Sequence, residues 1–509
     1  MKSIIYQSAI KFGTRLAANL TAEDQCDCDC DCACASVAAA SCAETTSSIL
    51  WRSADSMCSV VLSSEYTAFI SPLRNGLVVL NSDAHKMLSS FASPRSIDDA
   101  VSCVEADSPR LFGAARQLAA LGLLVPAEGD CACSSSKGTC SPAEIAGPLL
   151  VTWLHLTDRC NLRCSYCYLP HVREDMTSET GRAAIDATFR SALANGFKQV
   201  KLKYAGGEPL LHFPLIVELH RYAQSLAEKR GLGLDGVVLS NGTLLTTEIV
   251  EMLKLLGLRL MISLDGFGAY HDKHRPYAGG RGSFKDVSES VGLALANGLM
   301  PGISVTVSSR TADGLPEIME WILERELPFS LNFYRENDLS ALHGDMQLDE
   351  EKIIKGMLAA FKVIENDLPR RSFLGGIIDR ANLSAAHVHT CGVGQNYLVF
   401  DQNGQVAKCQ MQIRRSVTNV HAADPLAVIR ADQIGIQNLS VAEKDGCKAC
   451  EWRHWCAGSC PLATYRATGR YDVKSPNCSI YKALFPEALR LEGLRLLKYQ
   501  DDPEAVVQY

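Results

Sequence analysis

Leu156-Thr-Asp-Arg-Cys160-Asn-Leu-Arg-Cys164-Ser-Tyr166-Cys167 follows directly on the apolar run LLVTWLHL (149–156). The run reads as a buried strand. The residues after it place three thiols in one short loop, with spacing C-x3-C-x2-C. Three thiolates can hold three irons of a [4Fe–4S] cube, which leaves the fourth iron open to a chelating small molecule. Zinc is the alternative. It would need a fourth nearby ligand, and His155 is a poor one, five residues before Cys160 and on the strand.

Beyond the loop, strand-like runs alternate with helical segments. The runs are KQVKLKYA (198–205), DGVVLS (235–240), LRLMISL (258–264), GISVTV (302–307) and FSLNFY (329–334). Between them lie segments such as SETGRAAIDATFRSALANG and EIVEMLKLLG, with helical periodicity. Continuous apolar strands alternating with helices predict a parallel sheet. Six units predict an α/β fold, an open partial (β/α)6 barrel of the TIM type, over residues 149–385. Functional residues are then expected at the strand C-termini. Three polar groups stand there: Gly206-Gly207-Glu208-Pro209, Ser240-Asn241-Gly242-Thr243 and Ser263-Leu264-Asp265-Gly266. Each alone is no more than a turn signal. His271-Asp272-Lys273-His274-Arg275-Pro276 follows; it resembles a segment common in peptide-modifying enzymes, and its bland reading is a solvated loop.

These residues together resemble the signature of the radical SAM superfamily. The resemblance implies that Cys160, Cys164 and Cys167 hold a catalytic [4Fe–4S] cluster, and that its open iron binds S-adenosylmethionine. It also implies that Tyr166 lies near the adenine and that Gly206, Gly207 and Glu208 receive the amino group. Ser240, Asn241, Ser263 and Asp265 would lie near the ribose and methionine portions. Reductive cleavage of the sulfonium would yield a 5′-deoxyadenosyl radical.

The 21 cysteines of the 509 residues are unevenly spread: eleven before residue 141, three from 160 to 167, and seven after 390. In a large chain such usage points to metal ligation or redox chemistry rather than disulfides. The C-terminal set is Cys391 and Cys409, then Cys447, Cys450, Cys456 and Cys460, then Cys478. Its spacing resembles the SPASM domain, expected over 386–485 before a closing helix at 486–509. The resemblance implies two auxiliary [4Fe–4S] clusters, one on Cys447, Cys450, Cys456 and Cys478, the other on Cys391, Cys409 and Cys460. The second lacks a fourth cysteine. His387 and His389 are candidate substitutes, although surface histidines are the plainer reading. In sulfatase-maturing relatives an Asp acting as base follows the cysteine that matches Cys409. Here Gln410 stands there and cannot take a proton, which disfavours formylglycine formation.

The front of the chain divides into a cysteine-rich tail (1–55), a small α+β module (56–128) and a linker (129–148). The module resembles the winged-helix domains that recognise leader peptides, on GLVVLNSDAHKML, SIDDAV and LAALGLLV. Such modules add the peptide as a strand to a sheet edge. Ser96 and Ser108 are expected helix N-caps and Gly122 a helix end. In the tail, CDCDCDCAC (Cys26 to Cys34) reads as low complexity with opportunistic soft-metal binding, or as an attached substrate segment.

Composition narrows the class. Apolar residues are 47%, charged residues 21%, and the net charge is −7. No long Lys/Arg run suggests a nucleic-acid surface. No 18-residue apolar stretch or signal peptide is evident, so no membrane association and a cytoplasmic location are expected. The expected function is a peptide maturase that acts on a ribosomally made precursor peptide and installs thioether cross-links. A reductant such as flavodoxin or ferredoxin would supply electrons. Carbon–carbon or carbon–oxygen cross-linking, or maturation of a larger protein such as a quinohaemoprotein subunit, is the enzyme alternative. An iron–sulfur electron carrier or peptide-binding chaperone is the non-enzyme one.

Overall fold

The computed structural model describes residues 5–7, 49–102, 108–127, 149–340 and 343–502. The Cys26–Cys34 run and most of the expected linker lie outside the described residues.

The N-terminal module contains β1 (Ile5–Gln7), β2 (Trp51–Ser53), β3 (Cys58–Val61), β4 (Tyr66–Ser71), β5 (Arg74–Asn81) and β6 (Leu124–Pro126). Strands β1, β5, β4 and β3 form one sheet in that order, and β2 pairs with β6. Two expectations change here. Ile5–Gln7, placed in the tail, is an edge strand antiparallel to β5. The folded part also begins before residue 56, because Trp51 is buried and β2 pairs in register with β6. Three helices, Ser82–Ser90, Ile97–Ser102 and Ser108–Ala120, cover the sheet. The Ser96 hydroxyl accepts from the Asp99 N–H at 3.1 Å, a helix cap as expected. The third helix starts at Ser108 itself, and Gly122 turns left-handed (φ +66) just after its end.

The central sheet holds nine strands. Six are those read from the sequence: β7 (Leu149–His155), β8 (Gln199–Ala205), β9 (Gly233–Ser240), β10 (Arg259–Ser263), β11 (Gly302–Val307) and β12 (Phe329–Phe333). All are parallel, and their order in space is their order in the chain. Each crossover therefore steps the same way, which curls the sheet into part of a barrel. The crossover helices are locally specified. Thr177 caps Ser178–Ala194, and Thr246 caps Thr247–Leu256, which ends on left-handed Gly257.

The barrel does not close. On its open side β13 (Tyr397–Phe400) joins β7 in parallel, and β14 (Gln405–Ala407) and β15 (Ser416–Asn419) continue antiparallel. At the other edge, β12 bonds to the 376–379 segment through Leu331 N to Gly376 O (2.7 Å) and Asp379 N to Leu331 O (2.8 Å). Both edges are thus covered. The closing helix starts earlier than expected, at Cys478, and runs to Lys498. It packs on the barrel and on the N-terminal sheet, where a Cβ at Gly493 would lie 2.7 Å from Leu62 Cδ1. No helix among the described residues is long and apolar enough to cross a membrane.

Candidate functional site

The cysteine loop leaves the C-terminal end of β7 and is held by its neighbours. Leu156 N donates to Ala205 O at 2.8 Å. Gly207 N and Glu208 N donate to Thr157 O and Arg159 O at 2.7 and 2.8 Å. The paired glycines are needed here for a reason within the chain. A Cβ at Gly206 would stand 2.6 Å from Thr157 O, and one at Gly207 2.3 Å from Arg159 O. The backbone that approaches them is the cysteine loop itself.

Glu208 then ties β8 to β9. It is fully buried and accepts from Leu210 N (3.0 Å), Ser240 Oγ (2.8 Å) and Asn241 N (2.7 Å). Burial pushes its carboxyl up to about 7, against those three donors. Asn241 reaches back to the loop, donating to Asn161 Oδ1 (2.9 Å) and toward Cys160 Sγ (3.7 Å).

The other side of the loop lies along residues 274–278. Ser165 N donates to His274 O (3.0 Å), Arg163 N to Pro276 O (2.8 Å), and Ala278 N to Asn161 O (2.9 Å). The solvated-loop reading of this segment is overturned: His271 and His274 are 0% and 1% exposed. Arg275 is its working residue, and sequence spacing did not single it out. Its guanidinium donates to Asp265 Oδ2 at 2.7 Å and lies 3.9 Å from Cys164 Sγ and 5.3 Å from the centre of the Tyr166 ring. Asp265 also accepts from Tyr166 Oη and from Thr306 N (2.9 Å). Burial alone would raise its carboxyl, but Arg275 outweighs burial and holds it below the ordinary range. Ser263 ends β10, paired in register with Ser304. Tyr166, Glu208, Ser240, Asn241 and Asp265 therefore surround the three cysteines, four of them on three neighbouring strand ends.

The seven C-terminal cysteines form two groups. Cys391, Cys409 and Cys460 share one buried cluster with Cys167, Tyr168 and Tyr397. Cys447 lies within electrostatic reach of Cys450 and Cys478, and Cys456 of Cys447 and Cys478. Cys58, which no spacing motif singles out, brings the N-terminal sheet to this second group: its Sγ lies 3.5 Å from Glu451 O. His387 is not a surface histidine. It is 3% exposed, its Nδ1 lies 3.0 Å from Ala385 O, and its Nε2 has no hydrogen-bond partner. Gln410 is buried and accepts from Tyr397 Oη at 3.1 Å.

The sulfurs are set up as acceptors. Leu162 N lies 3.4 Å from Cys160 Sγ. The Leu169, Gly458 and Ala463 N–H groups serve Cys167, Cys456 and Cys460. Burial pushes the thiols of Cys160, Cys164 and Cys456 up to about 11, 12 and 12, so binding iron must displace their protons. Cys460 is the exception. Arg335, Ala463 N–H and Arg380 outweigh burial and hold it below the ordinary thiol value. Among the described residues no three His, Cys, Asp or Glu side chains converge where one metal ion could sit. N–H donors held at these sulfurs suit thiolate ligands of an iron–sulfur cluster.

Residues 154–322 match the family described as the Radical SAM superfamily. The AdoMet-dependent heme synthase of Methanosarcina barkeri is 27% identical over 362 residues, 66% of this chain and 97% of that protein. The serine-type anaerobic sulfatase-maturating enzyme of Klebsiella aerogenes is 25% identical over 350 residues, 65% of this chain and 82% of that protein. Among solved structures, native anSMEcpe with bound AdoMet and Cp18Cys peptide superposes with a TM-score of 0.55 at 19% identity, covering 69% of this chain and 99% of that one. The last likeness speaks to the fold.

Proposed function

We propose that this chain, an enzyme whose residues 154–322 belong to the radical SAM superfamily, modifies a ribosomally made precursor peptide and installs thioether cross-links in it. The observation that carries this reading is the cysteine loop, walled by Glu208, Asn241, Asp265 and Arg275 and packed at Cys167 against a further cysteine group. A [4Fe–4S] cluster on Cys160, Cys164 and Cys167, with S-adenosylmethionine on its open iron, would supply a 5′-deoxyadenosyl radical.

The chain's residues do the rest. Asn241 and Arg275 hold N–H groups against the ligand sulfurs, and Asp265 fixes Arg275. Glu208 locks two strand ends so that the polar rim keeps its shape. Two auxiliary clusters are proposed, on Cys447, Cys450, Cys456 and Cys478, and on Cys391, Cys409 and Cys460. In the reaction a peptide C–H gives its hydrogen atom to the radical. The peptide thiol would lose its proton as the S–C bond forms, and the one electron left over would need an acceptor, a role the proposed auxiliary clusters would supply. The N-terminal module is proposed to bind the leader peptide on its sheet. Gln410 leaves no base beside Cys409, which separates this reading from formylglycine formation despite the likeness to the sulfatase-maturating enzyme.

A second reading is a step of heme synthesis, favoured by the match along nearly the whole heme synthase of M. barkeri. One experiment divides them. Reduced, iron-loaded enzyme is incubated with S-adenosylmethionine and either a cysteine-containing precursor peptide encoded beside this chain or Fe-coproporphyrin III. Loss of two hydrogens per cross-link from the peptide is expected by mass spectrometry. An unaltered peptide with a porphyrin changed in mass would favour the second reading.

A further inference from the structure

Lys444 is a buried cation in the midst of the C-terminal cysteines. The residue is 1% exposed. Its ammonium donates to Ala457 O at 2.7 Å. That carbonyl also accepts from Thr390 Oγ1 at 2.8 Å. Thr390 adjoins Cys391, and Ala457 adjoins Cys456, so one carbonyl joins the two proposed cluster sites at the lysine. Cys447 is tied in as well, its N–H donating to Lys444 O at 3.1 Å. The chain is bent to allow this: Ala457, Gly458 and Ser459 are all left-handed, with φ of 47°, 82° and 61°. A Cβ at Gly458 would come within 3.0 Å of the ammonium.

An ammonium out of water is costly unless anions face it. One carbonyl takes one of its three donors. The sulfurs of Cys447, Cys391, Cys456 and Cys460, drawn from both sets, lie within its electrostatic reach and would be anionic as cluster ligands. His387 and His389 also lie near it, and burial, with its charge added, disfavours protonating them. The nearby Asp445 points elsewhere, to Lys448 and Arg470.

We infer that Lys444 is the shared countercharge of two auxiliary iron–sulfur clusters, making both easier to reduce and holding their potentials together on the electron path. The inference rests on the proposed auxiliary clusters. A fixed positive charge beside an anionic cluster favours its reduced form, and charge and hydrogen bonding at the sulfurs set such potentials.

The test is an EPR-monitored redox titration of anaerobically reconstituted wild type, K444Q and K444R, with iron counted in each. Both auxiliary signals are expected to become at least tenfold harder to reduce in K444Q, about 59 mV for one electron. The signal of the Cys160 cluster should stay put, and K444R should resemble wild type. Loss of auxiliary clusters in K444Q but not in K444R would also support the charge, since the glutamine can still bond Ala457 O. Twelve irons with unmoved potentials in K444Q, or movement of one auxiliary signal alone, would overturn the inference while leaving the clusters in place. A wild type with only about four irons would remove the auxiliary clusters and the inference with them.

Discussion

Asp265→Asn is expected to destabilise the protein by about 3–5 kcal/mol, the range for removing one partner of a buried ion pair. Asp265 is fully buried and Arg275 nearly so. The carboxylate accepts from Arg275, Tyr166 and Thr306 together. An amide would leave the guanidinium without its counter-ion and turn an NH2 toward one of these donors. Urea unfolding of the iron-free protein measures the loss. The double variant D265N/R275M should recover a large part of it, because no orphan charge then remains. The pH dependence has a definite sign. The folded-state pKa of Asp265 is depressed, so its contribution is present above the ordinary Asp value of about 4 and is lost as pH falls through the folded value. D265N should therefore narrow the stability gap to wild type on acidification. Equal stability of wild type and D265N at pH 7 would show that this pair does not hold the cysteine loop.

The largest functional effect is expected from Cys447→Ala combined with Cys456→Ala. The two residues stand within electrostatic reach of each other and of Cys478. Their loss should remove about four irons per chain. Deoxyadenosine formation should persist, because the loop at Cys160 lies on a different part of the fold. Peptide cross-linking should fall sharply, since the electron left after S–C bond formation loses one of its two proposed acceptors. Mass spectrometry of the peptide and chromatography of deoxyadenosine read the two outcomes separately. Cross-linking undiminished by the double substitution would remove this set from the electron path.

The barrel was legible because its signals are local. Most of the six strands are apolar runs bounded by polar residues, β8 alternates apolar with polar residues, and Ser178–Ala194 and Thr247–Leu256 carry their own caps. The extension of the sheet was not legible. Strands β13 to β15 have four, three and four residues, too few for periodicity to register. The partner of β13 is β7, about 250 residues earlier. Ile5–Gln7 escaped for the same reason, as three residues whose partner is β5.

The site divides similarly. Glu208, Ser240, Asn241 and Asp265 stand in strand-end turns, and with Tyr166 they were picked out by the resemblance to the radical SAM signature rather than by position alone. Arg275, Arg335 and Lys444 were not, because a charged residue gives no sequence sign of its burial. His387 was misread on the same ground: imidazoles are ordinary on surfaces, and only the packed 385–391 segment shows this one enclosed. At Gly206 and Gly207 the close approach is to the chain's own loop, a partner that a turn motif cannot specify.

The most direct test of the account is an iron count and a deoxyadenosine assay on anaerobically reconstituted protein given dithionite and S-adenosylmethionine, with the Cys160, Cys164 and Cys167→Ala triple variant beside it. The account predicts about twelve irons in the wild type, about four fewer in the variant, and deoxyadenosine from the wild type alone. Zinc in place of iron, or no deoxyadenosine under any reductant, would contradict it.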